Sequence, residues 1–319
     1  MSETSRKRIN TQELGAVIAL VILVLALAFI SPEFRTLDNI LNLLRQASTN
    51  GLIAFGMTVV ILTGGIDLGV GPILALTGAL TAGMIVNLGI PVPVAILIAL
   101  VVGLLLGVVG GVLVGKARLQ PFIATLITQT VYRGLTLIYT DGRPISGITS
   151  PEYAGANVLE FIGRKTVLGI PTPIIIMAIA FILIYILLNK TSLGRQIYAV
   201  GSNEKTAKLS GIDTSKVKVF VYTLSGLMST IAGLILISRL NSAQPTLGTG
   251  YELDAIAATA IGGTSMDGGR GKLTGTLIGV LIIAVLSNGM NILGINSYLQ
   301  DVVKGLVILF AVLSDRRKQ

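Results

Sequence analysis

The chain contains no cysteine, no histidine and no tryptophan. Without cysteine there is no disulfide, no thiolate ligand and no redox centre. Without histidine the commonest metal ligand and the usual proton shuttle are missing, and neither a Ser/His/Asp nor a Cys/His catalytic set can be assembled. An enzymatic function therefore has little support, and no metal or cofactor site is expected in the chain itself. Without tryptophan, tyrosine alone is left to form an aromatic belt at a membrane boundary. Charge is scarce as well: 12% of the 319 residues are Asp, Glu, Lys or Arg, against roughly 25% in a soluble domain.

What the chain has instead is apolar length. Hydrophobic residues make up 52% of it and its mean hydropathy is +0.84. Several apolar runs reach the ~18–20 residues that cross a bilayer. These features predict an all-α, polytopic integral membrane protein. The net charge of +9 does not argue for a nucleic-acid partner, because the basic residues sit between apolar runs, as the positive-inside pattern requires.

Residues 1–13, with Arg6, Lys7 and Arg8, are expected to form a cytoplasmic tail, and Leu14 to Ile30 the first span. Ala26 and Ala28, flanking Leu27, formally offer a signal-peptidase site. The apolar run continues past them, which favours an uncleaved anchor. Residues 37–48 place Leu37, Ile40, Leu41 and Leu44 opposite Asp38, Asn42 and Arg45, the pattern of an interfacial helix running into the next span. Further spans are expected over 51–63, 72–88, 94–115, 119–140, 171–188, 219–237, 273–290 and 298–314. Lys116 and Arg118 mark an inside loop. Residues 141–170 balance Asp141, Glu152 and Glu160 against Arg143, Arg164 and Lys165, which suits the periplasmic face. The segment 190–218 is basic and is placed inside, as is the tail 314–319.

Residues 240–272 are Gly-rich around a short apolar centre. A helix over 253–263 would rise about 16 Å, about half a bilayer, so a broken crossing shielded from lipid is expected there. With both tails inside the number of crossings must be even: about ten if this segment crosses, with eight as the alternative. The run TGGIDLGVGPILALTGAL at 63–80 weakly echoes IGGTSMDGGRGKLTGTLIGVL at 261–281. Inverted repeats are common in transporters, yet a ten-span chain gives these two segments the same orientation. Gly103, Gly107, Gly111 and Gly115 line one helix face, and Ser225, Ser229, Gly233 and Gly271, Gly275, Gly279 do the same. Such stripes allow close helix approach, within the chain or across a dimer seam.

Two runs mimic a nucleotide-binding loop and fail. GGVLVGKA at 110–117 ends in Ala117, and GGRGKL at 268–273 has Leu273 in place of the hydroxyl and Met266 in place of the first glycine. The polar residues inside apolar segments remain. A charge at the bilayer centre costs about 2.5–3.5 kcal/mol on insertion scales, so Asp67, Arg133, Glu252, Asp254, Asp301 and Lys304 each need a reason. Asp301 and Lys304 are spaced to pair with each other, and Asp254 is placed to cap the helix after it. Asp67, Gln129, Arg133 and Glu252 are candidates to face a polar path, alongside Asn288 and Asn291, which suit a neutral polyol. A structural pairing explains each of them equally well.

One polar stretch, GSNEKTAKLSGI at 201–212, carries the signals of a short capped helix. Ser202 or Asn203 can cap it, Glu204 and Lys208 suit its dipole, and Gly211 ends it. It reads as a docking surface or as a solvated loop.

Together with LTGGIDLGVG (62–71), PFIATL (121–126), SAQPTLGTGYELDAIAATAIGGTS (242–265) and GTLIGVLI (275–282), this stretch resembles the membrane-spanning permeases of bacterial ATP-binding-cassette importers for pentoses and related sugars, most of all the ribose-type branch. The likeness covers nearly the whole chain. It implies a single permease domain over 1–319 with the all-helical fold of vitamin B12 permeases, in the inner membrane, with both termini cytoplasmic. It also implies that 201–212 is the coupling helix that enters a groove in the ATPase. Glu204, Ala207 and Gly211 fall on the acidic, small and glycine positions, Ser202, Asn203 and Lys208 complete the set, and Thr206 stands where alanine is expected. The implied partners are a second permease copy, a cytoplasmic cassette subunit that uses ATP and Mg, and a periplasmic sugar-binding protein. Ribose is the implied cargo, with xylose, galactose or an autoinducer-type sugar as alternatives. A stand-alone secondary transporter fits less well, because His is absent and intramembrane carboxylates are few. A non-transporting scaffold would leave the polar interruptions without a use.

Overall fold

The computed structural model describes residues 11–316. Most of the expected N-terminal tail, residues 1–10, and the last three residues of the expected C-terminal tail lie outside the described residues. Within them the fold is helical. α1 is Thr11–Ile30, α2 Leu37–Ile61, α3 Val70–Val86, α4 Val92–Gly115 and α5 Pro121–Thr140. After α6 (Ala156–Gly163) come α7 Thr172–Lys190, α8 Ser192–Ser202, α9 Glu204–Leu209 and α10 Thr214–Leu240. α11 is Tyr251–Ile261, α12 Leu273–Ile292 and α13 Ser297–Arg316. Among the described residues four helices, α4, α7, α10 and α12, are long and apolar enough to cross a membrane by length and composition, and Leu14–Ile30 and Val70–Val86 form shorter apolar helices. The chain is thus a polytopic helical membrane protein.

The stretch 37–48 runs unbroken into the next span, as its pattern suggests. It is the first half of α2, a continuous helix capped by Thr36, whose hydroxyl accepts from the Asn39 N–H. From Ala47 to Ile61 α2 is almost wholly buried, which makes it the central post of the core. Its Thr58 hydroxyl lies 2.8 Å from that of Thr276 on α12 and 3.3 Å from that of Thr259 on α11. Three helices therefore share one buried hydroxyl cluster, whose polar atoms satisfy one another.

The glycine stripe on α4 is turned inward against α10. A Cβ on Gly107 would stand 2.8 Å from the Thr223 Cα, and one on Gly111 would stand 2.7 Å from the Val219 Cα. Both are impossible distances, so the helices meet backbone to backbone. Gly275 and Gly279 of α12 meet Gly262 and Ala258 at the end of α11 in the same way. These stripes are spent on packing within the chain. The outer face of α4, with Leu97, Val101 and Leu105, is exposed, as a lipid-facing surface requires.

The long segment 141–170 is folded rather than loose. β1 (Ile145–Ser146) pairs antiparallel with β4 (Ser242–Ala243), and β2 (Thr166–Val167) with β3 (Ile170–Pro171). The α6 carbonyl of Leu159 accepts from the Ser238 hydroxyl, and the Val92 N–H donates to Ala154 at 2.9 Å. The segment thereby caps the ends of α4 and α10.

The weak repeat has a structural counterpart. α2 and α11 are both buried helices that end in a Gly-rich turn and hand over to a second helix, α3 or α12. The two turns touch, with the Gly269 N–H 3.0 Å from the Leu62 carbonyl. α11, of eleven residues, rises about 16 Å.

Widening the α4–α10 contact tests this packing. Gly107→Leu is expected to lower stability by about 3 kcal/mol, read as the midpoint of thermal unfolding in detergent. Leu105→Ala on the exposed face should leave the midpoint nearly unchanged. Equal midpoints for Gly107→Leu and the unaltered chain would contradict the packing.

Candidate functional site

The first candidate region is the polar turn between α7 and α10. It is two helices, not one. α8 opens on Thr191, whose hydroxyl accepts from Gly194 N at 3.1 Å, and it runs through Gly201 and Ser202. Asn203 then adopts an extended backbone and its Oδ1 accepts from Thr206 N at 2.9 Å. Asn203 is therefore the cap, one of the two that the sequence allows, Ser202 closes the preceding helix, and the short helix starts at Glu204. At the far end the Ile212 N–H reaches the Ala207 carbonyl and the Gly211 N–H reaches that of Lys208, both at 3.1 Å, with Gly211 at φ +84°. This pair of bonds is the Schellman stop, which favours glycine at its left-handed position.

Packing divides the six residues of α9 cleanly. Ala207 is buried against the base, while Lys205, Lys208 and Leu209 are exposed, Leu209 to 89%. Composition gave no cue to Leu209, because one apolar residue in a polar loop forms no pattern; its isolation on the surface appears only in three dimensions. Glu204 bonds Lys218 of α10 at 2.7 Å, which ties α9 to the membrane helix. Asp213 caps α10, and the hydrogen bonds it accepts from Lys216 hold its carboxyl below the usual carboxylate range. Between α9 and the α4–α5 turn lies a cleft of about 610 Å³, whose charged lining is Arg118, Lys205, Lys208 and Lys218 against Glu204.

The second region is the polar set within the bundle. Asp67, in the turn between α2 and α3, is buried; its carboxylate accepts from the Ser225 hydroxyl at 2.7 Å and from Gly69 N at 2.9 Å. The neighbouring Ile66 carbonyl accepts from Tyr222 and Thr125. Asp67 thus pins the turn to α10. Gln129 of α5 donates to Glu252 of α11 at 3.3 Å, and Arg133, one turn further along α5, donates to the carbonyls of Pro245 and Leu247. Glu252 is buried, and its second oxygen has no hydrogen-bond partner. That oxygen lies against Gly71, where a Cβ would come within 2.7 Å.

The other polar residues are dispersed. Asn288 exchanges two amide bonds with Asn39 at the start of α2, of 2.8 and 3.1 Å. Asn291 accepts from Gln300 of α13. Lys304 does not pair with Asp301, as their spacing suggests, but with Asp254 across the α11–α13 contact at 3.0 Å. The reason is burial: Asp254 is enclosed and needs a cation, while Asp301 is exposed. Gly250, not Asp254, stands at the cap of α11. Among the described residues no group of three or more Asp or Glu side chains is placed to hold a metal.

Residues 39–312 match the permease family described as the branched-chain amino acid transport system permease component. The ribose import permease protein RbsC of Bacillus subtilis is 57% identical over 99% of this chain and 98% of its own length. RbsC of Escherichia coli K12 is 50% identical over 96% of this chain and 94% of its own. The L-arabinose transport system permease protein AraH of the same organism is 38% identical over 96% and 90%. No solved structure matches.

The Asp254–Lys304 pair yields a direct test. Lys304→Met leaves an enclosed carboxylate unpaired and is expected to cost about 3 kcal/mol. Adding Asp254→Leu should recover most of that loss in the same unfolding assay. Additive losses in the double variant would show that the two side chains do not interact.

Proposed function

The chain belongs to this permease family, and on that premise we propose that it is the membrane-spanning subunit of an ATP-binding-cassette importer that carries a monosaccharide, ribose first, across the bacterial inner membrane. The observation that carries this reading is the likeness of the whole chain, at 57% identity, to a ribose import permease. Xylose, galactose and autoinducer-type sugars are the alternative cargoes. The chain itself is no enzyme in this reading. ATP and Mg belong to a cassette subunit on the cytoplasmic side, a periplasmic binding protein delivers the sugar, and a second permease copy completes the passage. Ten crossings, with α11 as a partial one, put both termini inside.

The coupling contact is assigned to Ser202, Asn203, Glu204, Ala207, Lys208 and Gly211, with Leu209 added as its exposed apolar centre. The exposed face of α9, its two-ended capping and the basic cleft beside it support that assignment. ATP-driven closure of the cassettes would move α9 and rock the two chains between outward and inward openings. A neutral sugar needs no fixed counter-charge, so a weakly binding polar passage suffices and the delivery protein supplies affinity. Gln129, Arg133 and Glu252 are the set assigned to that passage, because they cluster and Glu252 keeps one oxygen unpartnered. Asp67, Asn288 and Asn291 have bonds within the chain that serve its own packing.

Uptake of labelled ribose into proteoliposomes holding the chain with its ATPase, internal ATP and external binding protein tests the reading. Accumulation should need ATP and the ATPase, and xylose or galactose should compete weakly. Glu204→Lys and Gly211→Pro should abolish uptake while leaving the chain inserted. Uptake without the ATPase would instead make the chain a secondary carrier.

A further inference from the structure

The end of α8 sits in a place that docking alone does not require. The backbone of Gly201 and Ser202 lies against two turns, the one that follows α2 and the one that follows α11. A Cβ on Gly201 would strike the Leu62 carbonyl and stand 2.5 Å from Gly269 N. One on Gly269 would stand 2.7 Å from the Ser202 Cα, and one on Gly268 would stand 2.7 Å from Gly64 N and 3.2 Å from the Gly201 Cα. The Gly269 N–H donates to Leu62 at 3.0 Å, and the Tyr198 hydroxyl donates to the Gly271 carbonyl at 3.0 Å. Three segments far apart in the chain therefore meet backbone to backbone, and the Tyr198 side chain adds one bond across the junction.

We propose that Tyr198, Gly201 and Ser202 are positioning residues that form, with Leu62, Gly64 and Gly268–Gly271, a stiff joint carrying displacement of α9 at once to the turn that follows α2 and the turn that follows α11. This rests on the importer reading above. The physical ground is that flexible side chains absorb a displacement by changing rotamer, whereas backbone in direct contact has no such slack and close-packed interiors transmit strain. Only Asn203 separates the joint from α9, and its cap bond holds that link.

From the joint two routes converge on one place. The turn after Leu62 leads into α3, whose Gly71 lies against the unpartnered oxygen of Glu252. The turn at 268–272 leads into α12, whose Gly275 and Gly279 seat directly on Gly262 and Ala258, the end of the helix that carries Glu252. A movement of α9 thus reaches the Gln129–Glu252 contact from both of its sides.

The decisive variant removes a single oxygen. In the reconstituted complex of full-length chain, ATPase and binding protein, ribose imported per ATP hydrolysed is measured for Tyr198→Phe and Gly201→Ala. Co-purification of the ATPase is measured in parallel. The expected result is a loss of import per ATP of about fivefold or more, with ATP hydrolysis and ATPase association retained. Tyr198→Phe keeps the ring and so keeps the fold, should Gly201→Ala fail to insert. An unchanged ratio in Tyr198→Phe would overturn the joint. Loss of the ATPase from Tyr198→Phe would overturn it too, by making the residue part of the docking surface. Failure of the importer reading shows separately, as ATPase-independent uptake by the unaltered chain.

Discussion

In hydrocarbon, burying one apolar helix against another releases no water, so cohesion has to come from contact distance and from hydrogen bonds closed inside the protein. Glycine meets the first requirement here. Gly107 and Gly111 bring α4 onto the backbone of α10, and Gly275 and Gly279 bring α12 onto α11. Threonine and serine meet the second. Thr58, Thr259 and Thr276 bond one another, and Ser225 closes the carboxylate of Asp67. The 38 glycines and the scarcity of charge are two sides of the same constraint.

The same economy separates structural polar groups from free ones. A buried carboxylate without partners is costly, and most of those in the bundle have partners: Asp67 has two donors, and Asp254 has Lys304. Glu252 stands apart, because one of its oxygens is bonded by Gln129 and the other by nothing. It lies where α3, α5 and α11 meet. A polar group left open at such a place suits a passage that holds its cargo weakly.

The polar turn between α7 and α10 is built to opposite ends. Its outer part, α9, is short, stopped at both ends and exposed, which defines a surface. Its inner part, the end of α8, has no free volume around its backbone. Capping and crowding sit one residue apart, on either side of Asn203. This arrangement gives a small helix a fixed seat on a large bundle.

The apolar runs, the absence of Cys and His, and the positive loops determined by themselves that the chain is a helical membrane protein without redox or histidine chemistry, since these follow from transfer energies and residue inventories that need no partner. The stop at Gly211 was legible too, because a Schellman end is written in consecutive residues. The choice of Asn203 over Ser202 as the cap of α9 was decided only in three dimensions. It depends on a contact that local pattern does not contain, the close approach of the Ser202 backbone to Gly269. The partner of Lys304 was hidden for the same reason. Spacing proposes a neighbour on the same helix, but burial of Asp254 on another helix creates the greater need for a cation, and only the tertiary structure brings the two together.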